Sequence, residues 1–550
     1  MPFRNNREAG SIGTIPGLRR DRAGWQVEDR NFMKIMLALV LALWMLYGGS
    51  EFHASQREGP AEETQENPGA EDAKGSGAAE EGGEVEEVKE GEEVEEEEPP
   101  RPPNVLLILV DDLGYGDLSS SGAEDLQTPH IDALVESGMR FNQFYANSTV
   151  GAPTRAALLT GRYPDLVGVP GNIRPEPERS WGYLNPEATL LPGLLQQAGY
   201  QTALIGKWHL GLESPNLPNE RGFHLFRGFL ADRMDDYFLH TRRGVNHMRF
   251  NAETIEPAGH ATDLFTQWAI DYLMDRAEDD QPFFLLLAYN APRAPAQPPP
   301  FHLERLAQRS GGLSEKRARL VALIEHLDEG IGMVMEALRE NGQDSETLVL
   351  FTSDNGGDLR AEANCGDLRG GKREMYEGGI RVPLVVVWPE KIRPGTTSNR
   401  LALTMDLFPT ICTVAGLTVE SETDGVSLFR TLVGQMAPPI ERTLHWVRRE
   451  GGRLHQGQDY YAVRQGHWKL LQNSPFEPFK LFNVREDPLE EHDLAEQEPR
   501  VVSRLSRILR LRIQKAGAVP WQPGPPPPSE SEVPSEPEAQ SDSEASTILP

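Results

Sequence analysis

The sequence predicts an α/β fold: a large central mixed, mostly parallel sheet between helices, plus a small C-terminal antiparallel-sheet subdomain with a helix. Three observations carry this. Four continuous apolar runs read as strands buried on both faces, as in a parallel sheet covered by helices. Segments with apolar residues at helical spacing lie between them. After about Pro438 the pattern changes to short strands in close succession, ending in one amphipathic helix.

The chain has 550 residues, enough for a large core and a smaller unit. Residues 1–50 read as a signal peptide or an N-terminal membrane anchor. Lys34 precedes the thirteen apolar residues Ile35–Tyr47, too few for a span of about 20. They fit the apolar part of a secretory signal, followed by the small residues Gly48, Gly49 and Ser50. Met33 is then a natural start. Either reading exports the main domain, to a periplasmic or extracellular location.

The formal charge of −30 is concentrated at the ends. Residues 51–102 form an acidic Glu/Gly/Pro-rich linker; Glu51–Pro100 alone carries 19 acidic and 3 basic residues. Beyond Lys515 there are six acidic residues and no basic one, and 523–550 read as a disordered Pro/Ser/Glu tail. About −8 remains for everything else, ordinary for an enzyme-sized domain. No basic stripe makes nucleic acid an expected partner.

The main domain is expected over 103–437. Its first strand, Val105–Val110, ends in Asp111-Asp112. The run from Gln201 to Ile205 ends in Gly206-Lys207-Trp208-His209. Pro282–Ala288 ends in Tyr289-Asn290-Ala291-Pro292-Arg293, and Thr347–Thr352 ends in Ser353-Asp354-Asn355. Each strand thus delivers polar groups at its C-terminal end, the edge where open α/β sheets bind ligands. Helical patterns occupy Ile131–Glu136, Leu191–Ala198, Asp263–Arg276 and Leu320–Glu340; the last stops at Asn341-Gly342.

The subdomain is expected over 438–522. Thr443–Arg448, Tyr460–Val463, Trp468–Leu471 and Lys480–Asn483 read as its strands, and Val501–Lys515 as its helix. Only Cys365 and Cys412 are present, and their pairing is open. Cys412 lies in the apolar segment Leu407–Leu417, where a buried free thiol is expected.

One stretch organises the site: Asn142–Pro164, with Gly151-Ala152-Pro153-Thr154-Arg155 leading into an apolar run that stops at Thr160-Gly161-Arg162. Pro153 falls in a first helical turn, where its missing N–H costs nothing. The stretch is either an ordinary loop-to-helix junction or an anion site made by backbone N–H groups and Arg155.

The whole stretch resembles the signature of the sulfatase family, within the alkaline-phosphatase superfamily. There the pattern is C/S-x-P-x-R followed by a small residue, Ala, Leu-Leu and Thr-Gly. The resemblance extends from about Pro103 to about Ala495. It includes Asp111-Asp112-Leu113-Gly114, Gly206-Lys207-Trp208-His209-Leu210-Gly211, Arg221-Gly222-Phe223, Ser353-Asp354-Asn355-Gly356-Gly357, Gly370-Gly371-Lys372 and Tyr376-Glu377-Gly378-Gly379.

The resemblance implies a sulfuric ester hydrolase fold and a sulfated small molecule or polysaccharide as partner. It also implies one Ca²⁺ on Asp111, Asp112, Asp354 and Asn355, an all-oxygen set that suits a hard cation. The alternative is that some of these cap strand ends and turns. Lys207 and Lys372 would stabilise charge on sulfate oxygens, Arg155 would anchor the nucleophile loop, and His209 would hold or deprotonate the nucleophile's second oxygen.

Two departures matter. The family's first signature residue is oxidised to formylglycine, whose hydrate attacks sulfur; here it is Gly151, so formylglycine is not possible there, and the metal loses a ligand. Ser148, Thr149 and Thr154 are near but out of register. The second is Arg293, where the family has His near the leaving oxygen. Arginine grips an anion bidentately but donates no proton at neutral pH.

Three readings follow: a sulfatase by descent that has lost formylglycine chemistry and binds a sulfated ligand, a hydrolase of sulfate or phosphate esters using metal-bound water, or a single-base change of a Cys codon. Phosphatases and phosphotransferases of the superfamily need Ser or Thr as nucleophile and further metal ligands, and no second metal set is apparent in the sequence.

Overall fold

The computed structural model describes residues 101–309, 311–437, 441–450 and 458–522. The expected signal or anchor, nearly all of the acidic linker and the tail from 523 lie outside the described residues. Among those described, no helix is long and apolar enough to cross a membrane.

The four apolar runs become strands β1 (Asn104–Asp111), β2 (Gln201–Lys207), β3 (Phe283–Pro292) and β4 (Thr347–Ser353). They lie side by side in the order β4-β1-β3-β2, all parallel, at the centre of a ten-stranded sheet. Leu225–Phe229 extends the parallel run beyond β2. Leu384–Val387 pairs antiparallel with β4 and makes the sheet mixed. Leu225–Phe229, interrupted by Arg227 and Gly228, carries a weaker sequence signal than the first four, whereas Leu384–Val387 is a short apolar run of the same kind.

The reason for the continuous apolar runs is visible in β1. Val105, Leu107 and Leu109 enter one hydrophobic cluster, while Leu106, Ile108 and Val110 enter another on the opposite face. On the first face sits α1 (Gly151–Thr160), with Leu191–Gln197 and Leu407–Val414. On the second lie α2 (Ala261–Asp275), α3 (Pro300–Arg309) and α4 (Glu315–Glu340). Helix α4 begins five residues before the expected Leu320, because the Ser314 side chain accepts from the Arg317 N–H and caps it there. Close approach of β2 and β3 requires Gly206, whose φ is +108°; a Cβ would stand 2.0 Å from the Ala288 carbonyl oxygen. Both cysteines are free and buried.

The C-terminal strands are β5 (Thr443–Glu450), β6 (Gln458–Gln465), β7 (Trp468–Gln472) and β8 (Lys480–Asn483), an antiparallel meander as expected. Helix α5 (Pro499–Gly517) covers one face through Leu505 and Leu509. The other face packs on the main domain: Trp446 Nε1 donates to the Ala146 carbonyl at 2.8 Å, and Ser148 Oγ to the Val447 carbonyl at 2.9 Å. The segment that leads into α1 is therefore built partly by the small sheet.

A buried polar joint locks the two together. Lys469 Nζ stands 2.9 Å from Glu377 and 2.8 Å from Glu490, all three fully enclosed. Tyr145 donates to Glu377 at 2.7 Å and accepts from Arg464 at 2.8 Å. Removing the one cation that faces both carboxylates strands buried charge. Lys469→Met is expected to cost about 3–5 kcal/mol. Urea unfolding followed by tryptophan fluorescence checks this, with main domain and subdomain expected to unfold in one transition.

Candidate active site

Parallel register brings the strand ends into line: Val110 is opposite Ser353, and Ala288 is opposite Gly206. The residues just past those positions are the ones the sequence singles out. Asp111, Asp112 and Asp354 are all buried, with carboxylate oxygens within 4.8 Å of one another. Asn355 joins them, its Nδ2 donating to Asp112 Oδ1 at 2.8 Å. Asp112 has φ +69° and His209 φ +65°, left-handed conformations that cost an L-residue roughly 1–2 kcal/mol each.

Cations surround this cluster. Lys207 pairs with Asp111, and Lys372 with Asp112. Arg155 Nε donates to Asp354 Oδ2 at 3.0 Å and its NH1 to the Lys207 carbonyl at 3.0 Å. Arg293 NH1 lies 3.5 Å from Asp111 Oδ1. Burial pushes the Lys207 ammonium down to about 8, with Asp111 opposing the shift. Burial, then Asp354, pushes the Asp111 carboxyl up. At Asp112 burial works against the charge, but Lys372 and Arg293 override it and hold the carboxyl below its usual range.

Two acceptors in the cluster lack a hydrogen bond although buried: Asp111 Oδ1 and Asn355 Oδ1. An unsatisfied buried oxygen costs about 1–3 kcal/mol. Three carboxylates and one amide oxygen, two of them without donors, fit a hard divalent cation bound by oxygen alone.

Helix α1 points its first turn at the same place. It starts at Gly151 after the extended Val150 and ends at Gly161, whose left-handed φ of +66° closes the C-terminus. All ten of its residues are buried. A Cβ on Gly151 would stand 2.5 Å from Asp354 Oδ2 and 3.4 Å from His209 Nδ1. A side chain at 151 would therefore face both. The nearby hydroxyls hold the loop instead: Thr154 Oγ1 accepts from the Ser148 N–H at 3.0 Å, and Ser148 Oγ donates to Val447. Thr149 Oγ1 is buried without a partner.

His209 is read from its partners. Nε2 lies 3.1 Å from the Ile173 carbonyl, which can only accept, so Nε2 carries the proton. Nδ1 then has a lone pair, buried, unpartnered and aimed past Gly151. Burial, reinforced by Lys207, Arg155 and Arg293, holds this imidazole well below its usual pKa, so it is neutral.

Above the cluster opens a cavity of about 560 Å³ lined by ten Arg or Lys residues and only three carboxylates. Arg293 and Lys372 form part of its wall. Asn172, Arg174, Arg242, Arg373 and Arg448 also line it and are absent from the sequence expectation. They come from loops, from the two-residue strand Thr241–Arg242 and from β5, and only Arg373, beside Lys372, had a neighbour to flag it. Glu450 holds Arg174 at 2.6 Å and Arg448 at 2.5 Å, which sets their direction.

The chain matches the family described as Sulfatase over residues 103–417. It matches the one described as N-sulphoglucosamine sulphohydrolase, C-terminal, over 370–516. It is 32% identical to arylsulfatase A of Homo sapiens over 77% of this chain and 90% of that protein. It is likewise 32% identical to N-acetylgalactosamine-6-sulfatase of Mus musculus, over 67% and 72%. Among solved structures it resembles Ps i-CgsB in complex with k-i-k-neocarrahexaose, with TM-score 0.69, 30% identity and coverage of 76% and 94%. BT4656 in complex with D-glucosamine-2-N,6-O-disulfate shares the fold, with TM-score 0.61, 23% identity and coverage of 76% and 98%.

At pH 6.5 an ordinary imidazole is about half protonated. His209 is expected to remain neutral there, as the Nε2–H tautomer. Two-dimensional ¹⁵N–¹H correlation of the ring nitrogens reads this directly; a protonated His209 at that pH would contradict it.

Proposed function

The chain belongs to the sulfatase family, and from that premise we propose that it is an exported protein that grips a sulfate group in the cationic cavity but no longer cleaves sulfate esters through formylglycine. The observation that carries this is Gly151. It stands at the start of α1, where a side chain would face Asp354 and His209, and it has none. Without a hydroxyl or thiol there, no covalent enzyme–sulfate bond forms.

What remains favours binding. Arg293 presents a permanent, bidentate cation, its charge reinforced by Asp111 and Asp112 against the cost of burial. Lys372 contributes a second cation from the opposite loop. Asp111, Asp112, Asp354 and Asn355 are the residues that would hold one Ca²⁺. When bound, that ion supplies positive charge against the oxygens of a sulfate. Relatives named for arylsulfates and for N-acetylgalactosamine-6-sulfate support a sulfated small molecule or sulfated sugar as ligand. The cavity, at about 560 Å³, has room for more than a lone sulfate.

A second reading has its own observation. The Nδ1 lone pair of His209 is unpartnered and can take a proton from a water beside Gly151. Direct hydrolysis of a sulfate or phosphate ester would then proceed without a covalent intermediate. Assays with a chromogenic aryl sulfate and a phosphate monoester separate the readings. Turnover abolished by Asp354→Ala would replace the binding reading with this one.

Under the binding reading, calorimetry with a sulfated monosaccharide in Ca²⁺ is expected to show saturable binding. Loss of a charge-assisted contact costs about 1.5–3 kcal/mol, so Arg293→Ala and Lys372→Ala should each weaken it roughly 10- to 100-fold. Gly151→Cys, coexpressed with the maturation enzyme, is expected to gain at most weak sulfatase activity, because Arg293 donates no proton to a leaving oxygen. Full turnover from that one change would refute the role assigned to Arg293.

A further inference from the structure

Three imidazoles meet away from the carboxylate cluster, where α2, α3 and α4 come together. His260 caps the start of α2, His302 lies on α3 and His326 on α4. All three are buried. The His326 ring centroid lies 4.7 Å from that of His260 and 4.6 Å from that of His302. Asp263, in the first turn of α2, accepts from His326 Nε2 at 2.5 Å.

We infer that His260, Asp263 and His326 form a binding site for a divalent transition-metal cation of the zinc class. A nitrogen from each imidazole and a carboxylate oxygen of Asp263 lie within 4.8 Å of one another. Donors about 2.0–2.2 Å from a tetrahedral zinc stand roughly 3.5 Å apart, so closure needs side-chain adjustments of about an ångström. Two nitrogens and one oxygen select a borderline cation over calcium.

The hydrogen bonds suit this. His260 Nε2 donates to the Gln297 carbonyl at 2.9 Å, the outer anchor by which metal-binding imidazoles are held. Its Nδ1 keeps a lone pair, which accepts from the Thr262 N–H at 3.1 Å and which a cation would take over. His326 Nδ1 is buried without a partner. The proton on Nε2 can move to it, freeing Nε2 for the metal with no net proton loss. The N-terminal end of α2 disfavours a cation, and Asp263 in its first turn offsets this. The Asp263 side chain is 61% exposed, so water can complete the coordination from outside. His302 Nδ1, also buried and unpartnered, belongs to a ring packed on His326.

The site is joined to the frame behind Arg293. Gln297 Oε1 accepts from the Tyr237 N–H at 2.8 Å, and the Tyr237 hydroxyl lies 2.8 and 2.9 Å from the carbonyls of Asn290 and Arg293.

The test is titration of the full chain with Zn²⁺ by calorimetry in saturating Ca²⁺, which keeps the strand-end carboxylates from competing. One equivalent is expected to bind, and Co²⁺ in its place should give the intense visible absorption of a tetrahedral site. Asp263→Asn should weaken Zn²⁺ at least tenfold, and His326→Gln should abolish this binding. Should His326→Gln fail to fold, Asp263→Asn, altering an exposed side chain, decides alone. No binding, or unchanged affinity in Asp263→Asn, overturns the inference. So does loss of binding in His492→Ala, which would put the ion at Asp487, Glu491 and His492 instead.

Discussion

Three buried carboxylates at one point constrain the rest of the molecule. Asp111, Asp112 and Asp354 are each at most 5% exposed, and like charges that close cannot persist in a low dielectric without countercharge. Lys207, Lys372, Arg155 and Arg293 supply it, from four different parts of the chain. The arrangement exists because β4, β1, β3 and β2 are neighbours and run the same way, so their C-terminal ends share one edge. Another strand order would part Asp354, Lys207 and Arg293 from Asp111 and Asp112, leaving buried charges without their present partners. The sheet topology and the charge cluster are thus one requirement.

Two of the four cations that balance the carboxylates also face the cavity. Lys372 and Arg293 line it while holding Asp112 and Asp111. An anion entering the cavity therefore meets charge already in place and oriented by partners, with little reorganisation required. The small sheet completes the wall: β5 carries Arg448, and Glu450 on the same strand aims both Arg448 and Arg174. The joint at Lys469, Glu377 and Tyr145 then matters to the site as well as to the fold, since it fixes β6 and β7 against the segment entering α1.

Most of the fold was legible because it rests on burial. Strands covered on both faces leave continuous apolar runs, and the four C-terminal strands leave turn-separated ones. The three-residue strand Met139–Phe141 owes its place to neighbours rather than to its own pattern, whereas Leu384–Val387 is itself a short buried apolar run, absent from the sequence expectation. The core of the site was legible for a related reason: its residues immediately follow those runs, so topology alone brings Asp111, Asp112, Asp354, Asn355, Lys207, His209 and Arg293 to one edge. The outer wall was not. Arg174 lies in a loop, Arg242 in a two-stranded hairpin and Arg448 on a strand of the C-terminal sheet, and no local pattern announces where such residues meet. His260, Asp263 and His326 escaped for the same reason, since 63 residues separate the last two.

Under the proposed reading, the two positions that depart from the family pattern act in the same direction. Gly151 would then lack the atom that bonds to sulfur, and Arg293 would have no proton to give a leaving oxygen. Neither touches the positive charge. Meanwhile the costly features of the pocket persist. His209 and Asp112 keep left-handed backbones, and His209 Nδ1, Asp111 Oδ1 and Asn355 Oδ1 stay buried without hydrogen bonds. Each such feature costs a stability of order 1 kcal/mol or more, and each could be relieved by a single side-chain change. Their joint presence beside a cationic cavity supports the proposed reading, in which the site holds an anion.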